Sequence, residues 1–146
     1  MRVSIVAVGK IKERYVRDAI DDYVGRIKHY AKYDEVELKD GDESEVAARF
    51  QKAIPERSKV VALEVDGQAY TTDRFARFVG DAEVHSVQTL VFLIGGSYGL
   101  PKAISKRADL RLSLSAMTLP HRLARLLLVE QIYRAFTVLR GEPYSH

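Results

Sequence analysis

Three short runs that are apolar almost throughout constrain this chain more than any other feature: Val3 to Val8, Val60 to Leu63 and Leu90 to Ile94. A strand with one wet face alternates apolar and polar residues, whereas one covered on both faces does not. Between these runs the period changes. Val16, Ile20, Tyr23, Val24 and Ile27 recur at helical spacing between Lys12 and Tyr30, the pattern of an amphipathic helix. Doubly buried strands alternating with helices predict an α/β fold, a mostly parallel sheet with helices on both faces. The 146 residues suit a single domain, 1–146, with one substantial core.

The remaining elements are read from punctuation. Val36 and Leu38 alternate with charges and suggest a short peripheral strand. Asp42-Glu43-Ser44-Glu45 has the form of a capping box, opening a helix towards Ala53 that Pro55 closes. A turn is expected at Asp66-Gly67, and Thr72 is expected to cap a helix burying Phe75, Phe78 and Val79. A short helix should follow Pro101, then a strand from Leu110 to Leu114. Pro120, at a first-turn position, opens a long helix that stops at Gly141, with Pro143 just beyond.

Several function classes fall away. The chain has no cysteine, so disulfide frameworks and thiolate-held zinc are excluded. No metal-ligand cluster is visible. The six-residue apolar run near Met1 is too short for a signal peptide or a membrane span, and a cytoplasmic protein with no membrane partner is expected. Charge is uneven: residues 1–100 carry 15 basic and 17 acidic groups, residues 101–146 carry 8 and 3, so the net changes from −2 to +5. A basic C-terminal segment is either a solvated helix face or a surface for phosphate. Asp34 to Glu45, with seven acids and one lysine, should face away from nucleic acid.

Ligands of open parallel sheets gather at the carboxyl ends of the strands. Three segments occupy that position: Leu63 to Gly67, Ile94 to Leu100, and Ser113 to His121. Gly95, Gly96 and Gly99 permit close approach of main chain to a flat ligand, but their spacing matches neither the dinucleotide nor the triphosphate fingerprint. Ser113, Ser115 and Thr118 set hydroxyls beside Met117 and Leu119, the mixture of an adenine slot or of a plain connection. His121, Arg125, Leu128 and Ile132 share a stripe of the last helix, and Arg122 and Arg125 put guanidiniums near its N-terminus, where an external anion would compensate the dipole. Glu130 and Arg134 are four apart, as in a helix ion pair. The tail Gly141 to His146 carries an aromatic and an imidazole that suit stacking on a base.

Five blocks together carry a resemblance: Val6-Ala7-Val8-Gly9-Lys10; Leu63-Glu64 with Gly67; Phe92-Leu93-Ile94-Gly95-Gly96 with Gly99-Leu100; Leu112 to His121; and Glu130-Gln131-Ile132-Tyr133-Arg134-Ala135-Phe136 with Arg140 to Tyr144. They resemble the bacterial RlmH family, SPOUT-class methyltransferases acting on N3 of a pseudouridine in the helix 69 loop of 23S rRNA. The likeness spans the whole chain. It implies a C-terminal trefoil knot, a rare exception among folds, a homodimer with sites drawn from both chains, and S-adenosyl-L-methionine as methyl donor. Carried over by position, Leu63, Gly95, Gly96, Leu114, Ser115, Ala116, Met117, Thr118 and Leu119 would hold that donor. His121, Arg125, Arg134, Tyr144 and His146 would face the target nucleotide. The family ends in Pro-Tyr-His followed by a basic residue; here Ser145 intervenes and nothing basic follows His146.

N3 methylation needs orientation above all, with Arg125 and Arg134 stabilising charge on the ring carbonyls and His121 or His146 assisting proton removal. The absence of an appended RNA-binding domain suggests that the assembled ribosome supplies specificity, with no DNA partner. Two rivals remain at this point: a noncatalytic RNA- or ribosome-binding module on the same fold, and a SPOUT enzyme with another RNA target.

Overall fold

The computed structural model describes residues 1–144, and the expected alternation is realised in ten elements. These are β1 (Arg2–Val8), α1 (Arg14–Ile27), β2 (Lys32–Leu38), α2 (Glu43–Ala53), β3 (Ser58–Ala69), α3 (Thr72–Val84), β4 (Thr89–Ile94), α4 (Lys102–Arg107), β5 (Leu110–Ser113) and α5 (His121–Leu139). The strands form one sheet in the order β2-β1-β4-β3-β5, parallel at every pairing. No helix among the described residues is long and apolar enough to cross a membrane.

Two-residue alternation divides the apolar strands between two cores. Val3, Ile5 and Ala7 of β1 join Leu90, Phe92 and Ile94 of β4 beneath α1, α3 and α5. Val6 and Val8 join Val91 and Leu93 on the opposite face, against Val46 and Phe50 of α2 and Ile104 of α4. Leu128, Val129, Ile132 and Phe136 of α5 are at most 1% exposed, and each such side chain stabilises the fold by about 1.5–3 kcal/mol. The strand with charged alternation, β2, is at the sheet edge, where solvent can reach its acids.

Local signals explain the boundaries. Asp42 accepts from the Glu45 N–H at 2.8 Å while Glu45 accepts from the Asp42 N–H at 3.1 Å, completing the expected box. At the end of α5, Gly141 has φ +67°. Its N–H reaches the Val138 carbonyl at 3.2 Å and that of Glu142 reaches Thr137 at 2.9 Å, a Schellman closure.

Three expectations need correction. Thr71, not Thr72, caps α3, accepting from the Arg74 N–H, and the Thr72 hydroxyl instead donates to Gln131. Pro120 is the N-cap of α5 rather than a first-turn residue. Asp66-Gly67 is not a turn: β3 runs through it to Ala69, with a register shift between Leu63 and Gln68 where β5 pairs. Gly67 is required for another reason. A Cβ there would lie 2.7 Å from the Arg111 carbonyl carbon and oxygen and 2.9 Å from Leu112 N, so the glycine allows β5 to pass close. Gly67→Ala is expected to cost about 1–3 kcal/mol through this overpacking, read as a lower urea midpoint at unchanged m-value.

Candidate active site

The chain leaves β1 towards β2 on one side and leaves β4 towards β5 on the other, so the topology switches between β1 and β4. A crevice at the carboxyl ends is the consequence, and a cleft of about 820 Å³ opens there. Its lining falls on both sides of the loop after β4, and these two sides are its two lobes: Leu63 to Asp66 with residues of the Leu114–Leu119 run beyond β3 and β5, and Val8, Gly9, Lys10, Lys12 and Asp40 beyond β1 and β2, with His121 and Arg122 also lining the cleft.

The loop after β4 is held by close main-chain packing. Gly99 has φ +80° and its N–H donates to the Gly96 carbonyl at 3.0 Å. A Cβ on Gly95 would collide with the Gly99 carbonyl and come within 2.6 Å of Leu100 N. The run after β5 is pinned by its own hydroxyls: Ser113 donates to the Ser115 carbonyl at 2.9 Å, and Ser115 Oγ accepts from the Met117 N–H at 3.0 Å. Those hydroxyls therefore serve the turn, and the run offers a ligand its main chain and the side chains of Leu114, Met117, Thr118 and Leu119. Ala116 belongs to the run but does not line the cleft. Met117 is 79% exposed and Tyr98 fully so, leaving apolar surface at the rim.

Glu64, beside Leu63, is engaged by Arg111 and by the Ser105 hydroxyl at 2.9 Å; Arg111 also holds Asp66 at 2.8 Å. One lobe is thus apolar and neutral to acidic, with free main-chain groups. Such a donor set fits a partly apolar cation like S-adenosylmethionine. Among the described residues no group of three or more His, Cys, Asp or Glu is arranged to hold a metal.

His121 opens α5 in the cleft wall. Burial is the largest influence on it and lowers its pKa, the charge of Arg125 adds to this, and the Gly95 backbone and Glu37 oppose only in part. These influences favour the neutral ring, and its Nε2 is buried without a partner. Arg125, one turn on, departs from expectation: it is 0% exposed, with Nη1 on Glu37 and Nη2 on Glu35, each at 2.7 Å. It is turned into the protein and not towards a nucleotide. Ile5 and Ala7 pair in register with Glu35 and Glu37, so these acids share the sheet face that α5 covers. Glu35 also accepts from Arg17 at 3.0 Å and the Tyr33 hydroxyl at 2.7 Å. Burial would raise the Glu35 pKa, but these bonds and Arg125 outweigh it and hold it low.

Arg134 and Tyr144 form a second cluster. Arg134 is paired to Glu130 at 2.6 Å and sits 4.7 Å over the Tyr144 ring, whose hydroxyl donates to Glu130 at 2.7 Å. Tyr144 also packs edge-on against Tyr133. Neither lines the cleft, and Arg134 is about 20 Å along the helix axis from His121 at 1.5 Å per residue. His146 lies outside the described residues. Lys12 and Asp40, and Lys10 from the Val6–Lys10 block, line the cleft without being among the expected site residues, although the carboxyl-end rule applies equally to the end of β1.

Because the folded pKa of His121 is depressed, its contribution to stability is fully present above the unfolded value and is lost as pH falls towards the folded one. An NMR titration should place the His121 midpoint below about 6.5, and His121→Gln should flatten the stability slope between about pH 5 and 7.

A family model described as "Predicted SPOUT methyltransferase" matches residues 1–146. The chain is 47% identical over 146 residues to the ribosomal RNA large subunit methyltransferase H of Sorangium cellulosum, covering all of both chains. It is 40% identical to the protein of that name from Streptococcus pyogenes serotype M5, over 99% of each. Among solved structures, a probable methylase family protein from Haemophilus influenzae Rd KW20 aligns with TM-score 0.57 at 12% identity, over 98% of this chain and 68% of that one, a likeness of fold.

Proposed function

Given that the chain belongs to the SPOUT methyltransferase family, and to its ribosomal RNA large subunit methyltransferase H branch, we propose that it methylates N3 of a pseudouridine in the helix 69 loop of 23S rRNA, in the cytoplasm and on the assembled ribosome. The observation that carries this reading is the cleft at the β1/β4 switch, lined by eight of the nine residues expected to hold the methyl donor. S-adenosylmethionine supplies an electrophilic methyl on a sulfonium. The chain's own part is to hold it, with Leu63, Gly95, Gly96 and the Leu114–Leu119 run around it, and to orient the acceptor nitrogen. A noncatalytic binder would have no need of such a cleft.

Neutral His121 in the cleft wall is suited to accept the imide proton of N3, directly or through water. Arg125 acts as a positioning residue: with Glu35 and Glu37 it fixes the first turns of α5 and helps keep His121 uncharged. Arg134 is the arginine left to stabilise charge on the ring carbonyls, its guanidinium oriented by Glu130 and Tyr144.

Arg134, far along α5, and Tyr144, beyond its end, are too distant to serve the cleft of their own protomer, which supports a homodimer whose sites are shared between chains. Leu123 and Leu127 of α5 remain 39% and 43% exposed, apolar surface on the same helix that a second copy would cover. The C-terminal trefoil knot is part of the same proposal.

Gly95→Ala, checked for native circular dichroism, and Arg134→Ala should each abolish tritium transfer from labelled S-adenosylmethionine to unmethylated ribosomes. Co-refolded in equal amounts they should regain about a quarter of wild-type activity, because half the dimers carry one intact shared site. A mixture as inactive as its parents contradicts the shared site, and wild-type protein that transfers nothing contradicts the enzyme.

A further inference from the structure

The second lobe of the cleft is left over once the methyl donor is assigned to the first. It lies over the ends of β1 and β2, on the other side of the loop after β4. Gly9, at φ +93°, turns the chain out of β1 and is tied to β2 through its N–H and the Leu38 carbonyl at 2.9 Å. In the connection that follows, Ile11 is half-buried and packs against the core, while Lys10 and Lys12 on either side of it are exposed and line the lobe. Lys10 and Lys12 flank the half-buried Ile11, and both reach the opening of the cleft. Arg122, also exposed, lines the cleft from the first turn of α5.

These three cations differ from the other basic groups around the cleft. Arg111 is bound to Glu64 and Asp66, and Arg125 to Glu35 and Glu37. Among the described residues Lys10, Lys12 and Arg122 make no ion pair. Two carboxylates share the lobe, Glu13 and Asp40; Asp40 accepts from the Gly41 N–H through Oδ1 at 2.8 Å, while its Oδ2 lies towards Gly96. Unpaired ammonium groups two residues apart, beside a guanidinium and next to the place of reaction, are arranged for a polyanion.

We propose that Lys10 and Lys12, with Arg122, bind backbone phosphates of the RNA strand flanking the target nucleotide, so that the β1–α1 connection is an RNA contact. The inference rests on the reading of the cleft as an RNA methyltransferase site. It gives a function to the Gly9-Lys10 block, which the donor lobe leaves without one. Phosphate contacts fix register and carry no sequence information, so the lysines set how the strand lies while the base enters beside His121.

The test uses full-length protein and ribosomes isolated from a strain lacking the gene. K10Q/K12Q is expected to raise KM for ribosomes about tenfold and to lower the slope of log KM against log salt by about 1.5, at roughly 0.7–0.9 per phosphate contact. The kcat and the calorimetric affinity for S-adenosylmethionine should stay within about twofold of wild type, because the lysines position and do not react. K10R/K12R should restore the KM. K28Q/K52Q removes equal charge from the C-terminal ends of α1 and α2, which lead into the amino ends of the strands, away from the cleft, and should leave KM unchanged. A K10Q/K12Q protein indistinguishable from K28Q/K52Q overturns the inference, as does one whose defect is in cofactor affinity. Wild-type protein that transfers no methyl group to these ribosomes overturns the reading beneath it instead.

Discussion

The buried guanidinium of Arg125 is the interaction on which the rest of the site depends. It is fully enclosed and tied to Glu35 and Glu37, each at 2.7 Å. An arginine so placed is held by both its partners, and removing one partner of a buried pair costs about 3–5 kcal/mol. The bonds join α5, which carries His121, to β2 at the sheet edge. Arg17 of α1 closes the network on Glu35. The first turns of α5 therefore cannot shift against the sheet without stranding a charge. That fixes His121 beside Gly95 and the run before it against the loop after β4. Rigid support of this kind is what an orientation-driven reaction needs.

From this clamp the site divides in two along the topological switch. On the β3/β5 side, glycines and a self-pinned turn leave main chain and apolar side chains where we propose the methyl donor binds. On the β1 side are the unpaired lysines for which we propose a phosphate partner. His121 stands where the two meet, neutral because burial and Arg125 both disfavour its charge. The far cluster of Glu130, Arg134 and Tyr144 is complete in itself but distant from this centre, and a symmetric pair of chains is the simplest way to bring it into use.

Much of this was legible in the residues. The doubly apolar runs gave the parallel sheet, the period of Val16 to Ile27 gave α1, and Asp42 with Glu45 gave the start of α2, because each signal is local. That Leu63 to Asp66, the loop after β4 and the Leu114–Leu119 run border one cleft followed from the carboxyl-end rule. What sequence reading missed depends on contacts between distant segments. Gly67 resembles a turn glycine until Arg111 is seen passing behind it. Arg125 resembles a substrate arginine because nothing local reveals that Glu35 and Glu37 face α5. The acidic stretch from Asp34 was expected to point away from nucleic acid, yet two of its acids build the support of the site. The charge excess of the C-terminal third does not reveal a role for Lys10 and Lys12, whereas the fold brings the end of β1 to the same cleft.

The central claim is that this chain places one methyl group on 23S rRNA. Mass spectrometry of 23S rRNA from a strain lacking the gene, before and after its return, measures this directly. The account predicts that N3-methylpseudouridine in the helix 69 loop disappears and is restored by the wild-type gene. An unchanged level of that nucleotide in the deletion strain would contradict it.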